Sequence, residues 1–242
     1  MTQLLLDLEP PARPCFENFI AGRNAEALAA VRRLCETSPA DHAPRFIYLW
    51  GDTGSGRSHL LRSASALVGG HYFGAALGAV DVRSMIASEP VAARRRVLIV
   101  DDVESTDAAT QEALFHAYNV LRDDSRGAML VAGDRAPRDL ALHAGRDDLR
   151  SRLAWGLAYQ LHPLDDHEKD AALVRHAAER GFPLAPEVRR FLMTHFARDL
   201  GSLMQLVEAL DRHAREQRRV VTLPLIRDFL HRDFTASIPS AH

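Results

Sequence analysis

The residues with the clearest capacity for chemistry form one short loop, Gly51-Asp52-Thr53-Gly54-Ser55-Gly56-Arg57-Ser58-His59. An apolar run, Phe46 to Trp50, precedes it, and a helix-compatible run, His59 to Leu67, follows. Strand, glycine-rich loop and helix are together what a phosphate-binding P-loop requires. Glycines let successive backbone N–H groups turn inward around phosphate oxygens, and the helix N-terminus adds partial positive charge. The spacing puts Ser58 where a hydroxyl can hold Mg²⁺. Arg57 stands where this motif usually has lysine. The cation is kept, but a wide planar fork replaces a compact ammonium. Nucleotide binding is therefore expected and efficient intrinsic hydrolysis is not. A plain glycine turn with a solvated Arg57 is the alternative, and it leaves four motif positions in register unexplained.

A second constellation follows at Val97-Leu98-Ile99-Val100-Asp101-Asp102. Four consecutive apolar residues read as a strand buried on both faces. A carboxylate at its C-terminal end sits at the ligand-binding edge of an open α/β sheet. This is the Walker B pattern, in which Asp101 orders Mg²⁺ and its water. Asp102 takes the place of the usual glutamate base, one methylene shorter; the alternative for either acid is to cap the following turn. A further apolar run, Ala128 to Ala132, ends at Gly133-Asp134-Arg135, where Asp134 is placed to sense a γ-phosphate. Taken alone, Arg152 reads as a surface arginine paired with Asp147 or Asp148.

Elements must position these groups. Asn24 is expected to cap a helix through Glu26 to Leu34, with Ala27, Leu28, Val31 and Leu34 on one face. Phe16 and Phe19 either line a base pocket or belong to the core. A weak strand is expected from Gly74 to Asp81 and a short helix around Arg83 to Ala87. Arg94 to Arg96 read as a solvated approach to the Walker strand, with phosphate contact as the other possibility. Thr106 or Asp107 caps a helix from Ala108 to Leu121, with Ala109, Glu112 and Phe115 spaced along it. Tyr159 to Leu161 completes the strands. Beyond Leu164 only amphipathic helices follow, the clearest carrying Leu203, Leu206, Val207 and Leu210.

Composition narrows the classes. The chain has 242 residues, 47% hydrophobic and 26% charged, as in an ordinary globular protein. Its net charge of −2 gives no basic excess for nucleic acid as the main partner. Cys15 and Cys35 lack metal-ligand spacing, and the 12 histidines are scattered. No leader pattern or spanning apolar run is present, so the cytoplasm is the expected location and no membrane partner is expected. The tail Gln3-Leu4-Leu5-Leu6-Asp7-Leu8, closed by Pro10-Pro11, either docks on the chain's own core or inserts leucines into a partner's groove.

The segments Phe16-Glu17-Asn18-Phe19, Gly51 to Leu61, Asp101-Asp102, Gly133 to Pro137, Ser151-Arg152-Leu153-Ala154-Trp155-Gly156 and Arg198-Asp199-Leu200 resemble, in order, segments of the replication initiator DnaA. The resemblance reaches to about residue 232, and the P-loop and Ser-Arg-x-x-Trp-Gly segments are its most specific parts. The hexapeptide Gln3 to Leu8 is similar to the Gln-Leu-x-Leu-x-Leu peptides that dock proteins on the bacterial sliding clamp. The combination, with Arg57, resembles the Hda family, regulatory inactivators of DnaA. The resemblance implies a AAA+ P-loop module: an α/β fold with a parallel five-stranded sheet flanked by helices, plus a small all-helical lid. It divides the chain into a clamp-binding peptide (1–12), a nucleotide-binding base (13–162), a lid (163–235) and a tail (236–242).

It also implies roles. Gln3, Leu4, Leu6 and Leu8 would bind the β subunit of the DNA polymerase III clamp, so that DNA is met indirectly. Residues 51–59, Asp101, Asp102, Asp134 and the lid arginine Arg198 would hold ADP or ATP, with Mg²⁺ on Ser58 and Asp101. Arg152 would act in trans as an arginine finger on ATP bound to DnaA, making the chain a negative regulator of replication initiation with weak or no ATPase of its own. Head-to-tail stacking into homo-oligomers would be open to it. The alternative is an autonomous AAA+ ATPase, a helicase loader or DNA-remodelling factor, which has no evident need for Arg57 or for the clamp-like peptide. A DNA-binding initiator paralogue is disfavoured by the net charge and by the few residues after Thr235.

Overall fold

The computed structural model describes residues 13–36, 44–74, 76–88, 96–196 and 200–236. The clamp-like tail, Gln3 to Leu8, lies outside the described residues, as do Arg198 and the closing residues 237–242. The chain divides into two units, Pro14–Pro163 and a helical unit from Leu164 onward.

The first unit is built on five parallel strands: β1 (Phe46–Trp50), β2 (His71–Phe73), β3 (Arg96–Val100), β4 (Gly127–Gly133) and β5 (Leu157–Gln160). Their order across the sheet is β2-β3-β4-β1-β5, every pairing parallel. Both faces are covered, which is why the central strands read as unbroken apolar runs. Successive residues still alternate between faces. Tyr48, Leu98, Val100, Met129 and Val131 pack with α3 (Ala79–Ala87), α4 (Ala108–Asp123) and α5 (Asp147–Trp155). Ile47, Leu49, Ile99, Leu130 and Ala132 pack with α1 (Ala25–Glu36) and α2 (Arg57–Val68). Because β3, β4 and β1 are neighbours, the segments leaving their C-terminal ends converge. Those segments are the P-loop, Asp101-Asp102 and Asp134.

Four expectations change. The strand beside β3 is His71–Phe73, and residues 79–81, expected in a strand, open α3 instead. Gly78 stays extended, and its N–H donates to the Asp81 carboxylate at 3.0 Å, a local bond that starts a helix. Asn24 does not cap α1. It is 3% exposed, its amide donates to the His162 carbonyl and its oxygen accepts the His162 N–H, both at 2.8 Å, tying off the chain just past β5. Arg96 is not a solvated approach, since its guanidinium donates to the carbonyls of Met85, at 2.6 Å, and Ile86, closing the C-terminal end of α3. Along α4 the core face is Thr110, Ala113, Leu114, Ala117, Tyr118 and Leu121, not the row through Glu112; Asp107 is the cap, accepting from the Thr110 N–H at 2.7 Å.

The second unit holds α6 (Asp166–Glu179), α7 (Pro186–His195), α8 (Leu200–Glu216) and α9 (Leu223–Ala236). Asp165 and Glu168 form a reciprocal capping box at 2.7 and 2.9 Å, and Pro186 occupies the first turn of α7. The stripe Leu203, Leu206, Val207 and Leu210 is buried against Leu173, Val188 and Leu192. Among the described residues no helix is long and apolar enough to cross a membrane.

Candidate nucleotide site and the arginine-bearing face

The loop after β1 turns on glycines that no other residue replaces. A Cβ on Gly51 would lie 2.2 Å from the Leu161 carbonyl oxygen, and one on Gly56, at φ 97°, would lie 2.7 Å from the Phe19 ring. The Ser55 N–H donates to the Asp52 carbonyl at 3.1 Å to close the turn. Helix α2 then starts at Arg57 with no side chain capping it. The first N–H groups of a helix have no partner within it, so the donors of Arg57, Ser58 and His59 are directed at the loop. Two polar atoms, the Ser55 hydroxyl and Arg57 Nη1, are buried with no hydrogen-bond partner among the described residues. Backbone donors at a helix start that no side chain caps, together with the Arg57 cation on the same loop, fit an anionic phosphate chain.

Arg57 faces an acidic group. Its Nη2 lies 3.4 Å from Asp102 Oδ1, and its side chain is only 12% exposed. Asp102 sits in the left-handed region, φ 48°, ψ 52°, which aspartate tolerates better than most residues. Its carboxyl is raised above the usual range, first by burial and then by Asp101; Arg57 pulls the other way and Asp134 adds to the rise. Asp101 is 2% exposed and accepts the Tyr72 phenol at 2.8 Å, which fixes its orientation at the end of β3. Asp134 is exposed at the end of β4 and lies 3.4 Å from the Arg135 guanidinium.

Two members of this cluster escape the sequence reading. Glu104, in a 3-10 turn just past Asp102, has Oε2 buried without a partner among the described residues. Burial is the first cause that pushes its carboxyl up; Asp134 and Asp102 add to this, while its own backbone N–H and Arg57 oppose it. Tyr48 lies inside an apolar strand, yet its phenol donates to the Arg135 carbonyl at 2.8 Å, and burial raises its pKa well beyond the ordinary tyrosine range. The Asp-Asp-x-Glu spacing was the available signal for Glu104; nothing in an apolar run marks Tyr48.

His59 is turned toward the chain that precedes the loop. Its Nε2 is 2.8 Å from Asn18 Oδ1 and 3.1 Å from the Cys15 carbonyl, and its ring is 5.4 Å from that of Phe19. Burial lowers its pKa. Phe16 is a core residue at 5% exposure, whereas Phe19 lies against Gly56 and so borders the loop.

Arg152 is not paired as a simple surface arginine would be. Asp147 takes Arg150 at 2.7 Å, and the Asp148 carboxylate accepts the Leu149 N–H at 2.7 Å. Arg152 instead lies over three rings, 4.1 Å from the centroid of Trp155, 5.6 Å from Phe115 and 5.8 Å from Tyr118. It has no carboxylate partner among the described residues.

Comparison with known families places this architecture. Residues 11–76 and 79–160 match the family model of the bacterial DnaA ATPase domain. The chain belongs to the DnaA-related AAA+ family. Residues 166–230 match a second family model, that of the Hda lid domain, so both units of this family member are accounted for. Among solved structures, domain III of the Thermotoga maritima replication initiation protein DnaA is similar over 91% of this chain and 99% of its own, at 23% identity and a TM-score of 0.67. AMPPCP-bound DnaA from Aquifex aeolicus is similar over 84% of this chain and 69% of its own, at 23% identity and a TM-score of 0.64. The Thermotoga maritima RuvB branch-migration motor reaches the same TM-score, 0.64, at 15% identity, covering 90% of this chain and 71% of its own. Likenesses at such identities show the fold, and function has to come from the site.

Proposed function

We propose that this DnaA-related protein is a nucleotide-held negative regulator of replication initiation, which stimulates ATP hydrolysis by DnaA and so converts the initiator to its ADP form. The observation that carries the reading is the Arg57–Asp102 contact of 3.4 Å. It ties the P-loop cation to the acid that stands in the catalytic-base position. A base held by its own P-loop arginine, and shorter than glutamate by one methylene, is poorly arranged to activate water. The site therefore suits holding a nucleotide better than turning it over.

The loop N–H groups, the N-terminus of α2, Arg57 and Ser58 would bind an adenine nucleotide, ADP above all. Asp101 and Ser58 would meet its Mg²⁺ and Asp134 its terminal phosphate. A bound nucleotide would supply a compact polyanion as the partner of these donors. Phe19, bordering Gly56, belongs to this site as a candidate contact.

The chemistry would occur in the partner. Arg152 would enter the nucleotide site of ATP-bound DnaA and stabilise charge developing on the transferring phosphoryl group, a contribution of roughly 10³–10⁵ in rate. The tail Gln3, Leu4, Leu6 and Leu8 would dock on the DNA-loaded β clamp and make the reaction conditional on replication. Reconstitution tests this. ATP hydrolysis is measured with chain, DnaA, clamp and DNA, each omitted in turn and with Gln3→Ala in place of the native chain. Hydrolysis that needs every component and falls with Gln3→Ala is expected. Robust turnover by the chain alone, indifferent to DnaA and clamp, would identify an autonomous ATPase instead.

A further inference from the structure

Arg152 is held by rings and not by an acid, and that choice has a chemical consequence. The five N–H donors of a guanidinium lie in its own plane. A carboxylate takes them edge-on, through the same fork that a phosphoryl group requires. An aromatic ring attracts the cation through its face. The charge is then held in place while its donors stay available.

The supporting rings come from two helices. Trp155 follows Arg152 by three residues in α5, which puts the two on one helix face. Phe115 and Tyr118 are likewise three apart in α4. Tyr118 is 4% exposed and packs against Phe46, the rings tilted by 42° with centroids 4.5 Å apart, so it forms a fixed floor. Trp155 is different: it makes the closest approach, 4.1 Å, yet remains 65% exposed. Core burial does not account for a tryptophan so open to water. The aspartates that could have paired Arg152 from the start of α5 are engaged by Arg150 and by the Leu149 N–H.

We propose that Trp155 is a positioning residue for Arg152: with Phe115 and Tyr118 it presents the guanidinium, donors free, to the phosphoryl group of an ATP-bound partner. This rests on the reading of Arg152 given above. Trp155 itself touches neither nucleotide nor reacting atoms. Its contribution is to keep a long, rotamer-rich side chain in the reaching conformation, so its loss is expected in the maximal stimulated rate and not in the concentration of chain needed for half of that rate.

The test is clamp- and DNA-dependent ATP hydrolysis by DnaA, titrated with native chain and with Trp155→Ala, Trp155→Phe, Trp155→Glu and Arg152→Ala, each checked for an unchanged thermal transition. Trp155→Ala is expected to lower the maximal rate about tenfold, from the strength of a partly desolvated cation–π contact, with the half-saturating concentration little changed. Trp155→Phe keeps a ring face and is expected within about threefold of native. Trp155→Glu places a carboxylate where the ring was, occupies the fork and is expected to fall as low as Arg152→Ala. If Arg152→Ala is inactive while Trp155→Ala is native-like, or if Trp155→Ala changes only the half-saturating concentration, the positioning role is overturned and the finger stands. If Trp155→Glu merely equals Trp155→Ala, the free-donor account is overturned. If Arg152→Ala retains full stimulation, the reading of Arg152 itself fails. Should Trp155→Ala unfold, the Phe and Glu variants decide between the same outcomes.

Discussion

Replacing Asp102 with asparagine should make the chain bind ADP more tightly. Arg57 and Asp102 are 3.4 Å apart. Coulomb's law at that separation gives about 5 kcal/mol for an effective dielectric of 20 and about 1.2 kcal/mol in bulk water. Asp102 is 39% exposed, which places the pair near the aqueous limit, so its net worth is about 1 kcal/mol. A phosphate bound by Arg57 shares the guanidinium with Asp102, and it must also approach the negative charge of that carboxylate. Removing that charge should therefore tighten ADP binding about fivefold, since about 1.4 kcal/mol corresponds to tenfold. Asparagine keeps the tolerance for φ 48° and alters no volume. The fold should not suffer, because burial and Asp101 already outweigh Arg57 in setting the Asp102 carboxyl above its ordinary range. Calorimetric titration of ADP in EDTA separates this effect from any role of Asp102 near Mg²⁺. Unchanged or weaker binding would refute the idea that the pair competes with phosphate.

The raised carboxyls of Asp102 and Glu104 also set a pH dependence. A carboxyl whose folded pKa exceeds its unfolded one favours the fold while protonated, and that contribution is lost as pH rises from the ordinary range near 4 through the raised value. Denaturant unfolding of native chain and of the Asp102→Asn, Glu104→Gln double variant should show the native chain losing ground relative to the variant as pH increases across this window, whereas parallel curves would contradict it. Gly56→Ala should weaken nucleotide binding more than tenfold, because a Cβ there meets the Phe19 ring at 2.7 Å in a left-handed backbone; equilibrium titration checks it. Asp107→Ala removes the side-chain N-cap of α4 and should cost about 1 kcal/mol in denaturant unfolding while leaving ADP affinity unchanged.

The sheet was legible where strands are buried on both faces, because runs such as Val97 to Val100 tolerate no polar residue. It was not legible at β2, whose three residues carry a histidine and two aromatics and are too short for periodicity to register. The motifs showed which residues converge, since β1, β3 and β4 lie side by side. They did not show which atoms meet. Arg57 stood out in the sequence by departing from lysine, but its pairing with Asp102 depends on a left-handed residue that follows an ordinary-looking strand. Asn24 had the composition of a helix cap and instead mimics a strand pairing to His162 across 138 residues of chain, a contact that no local rule reaches. The Trp155 contact was closer to hand: three residues after Arg152 in a helix, it follows from spacing alone once the helix is known.

On the proposed reading the hydrolysed nucleotide belongs to DnaA, and this chain lends Arg152 to it. The most direct measurement is a single turnover with γ-labelled ATP loaded on DnaA alone, the chain holding unlabelled ADP and the clamp on DNA. Rapid release of label is expected with the native chain, and with Arg152→Ala release no faster than that of DnaA by itself. Equal release with both chains would contradict this reading.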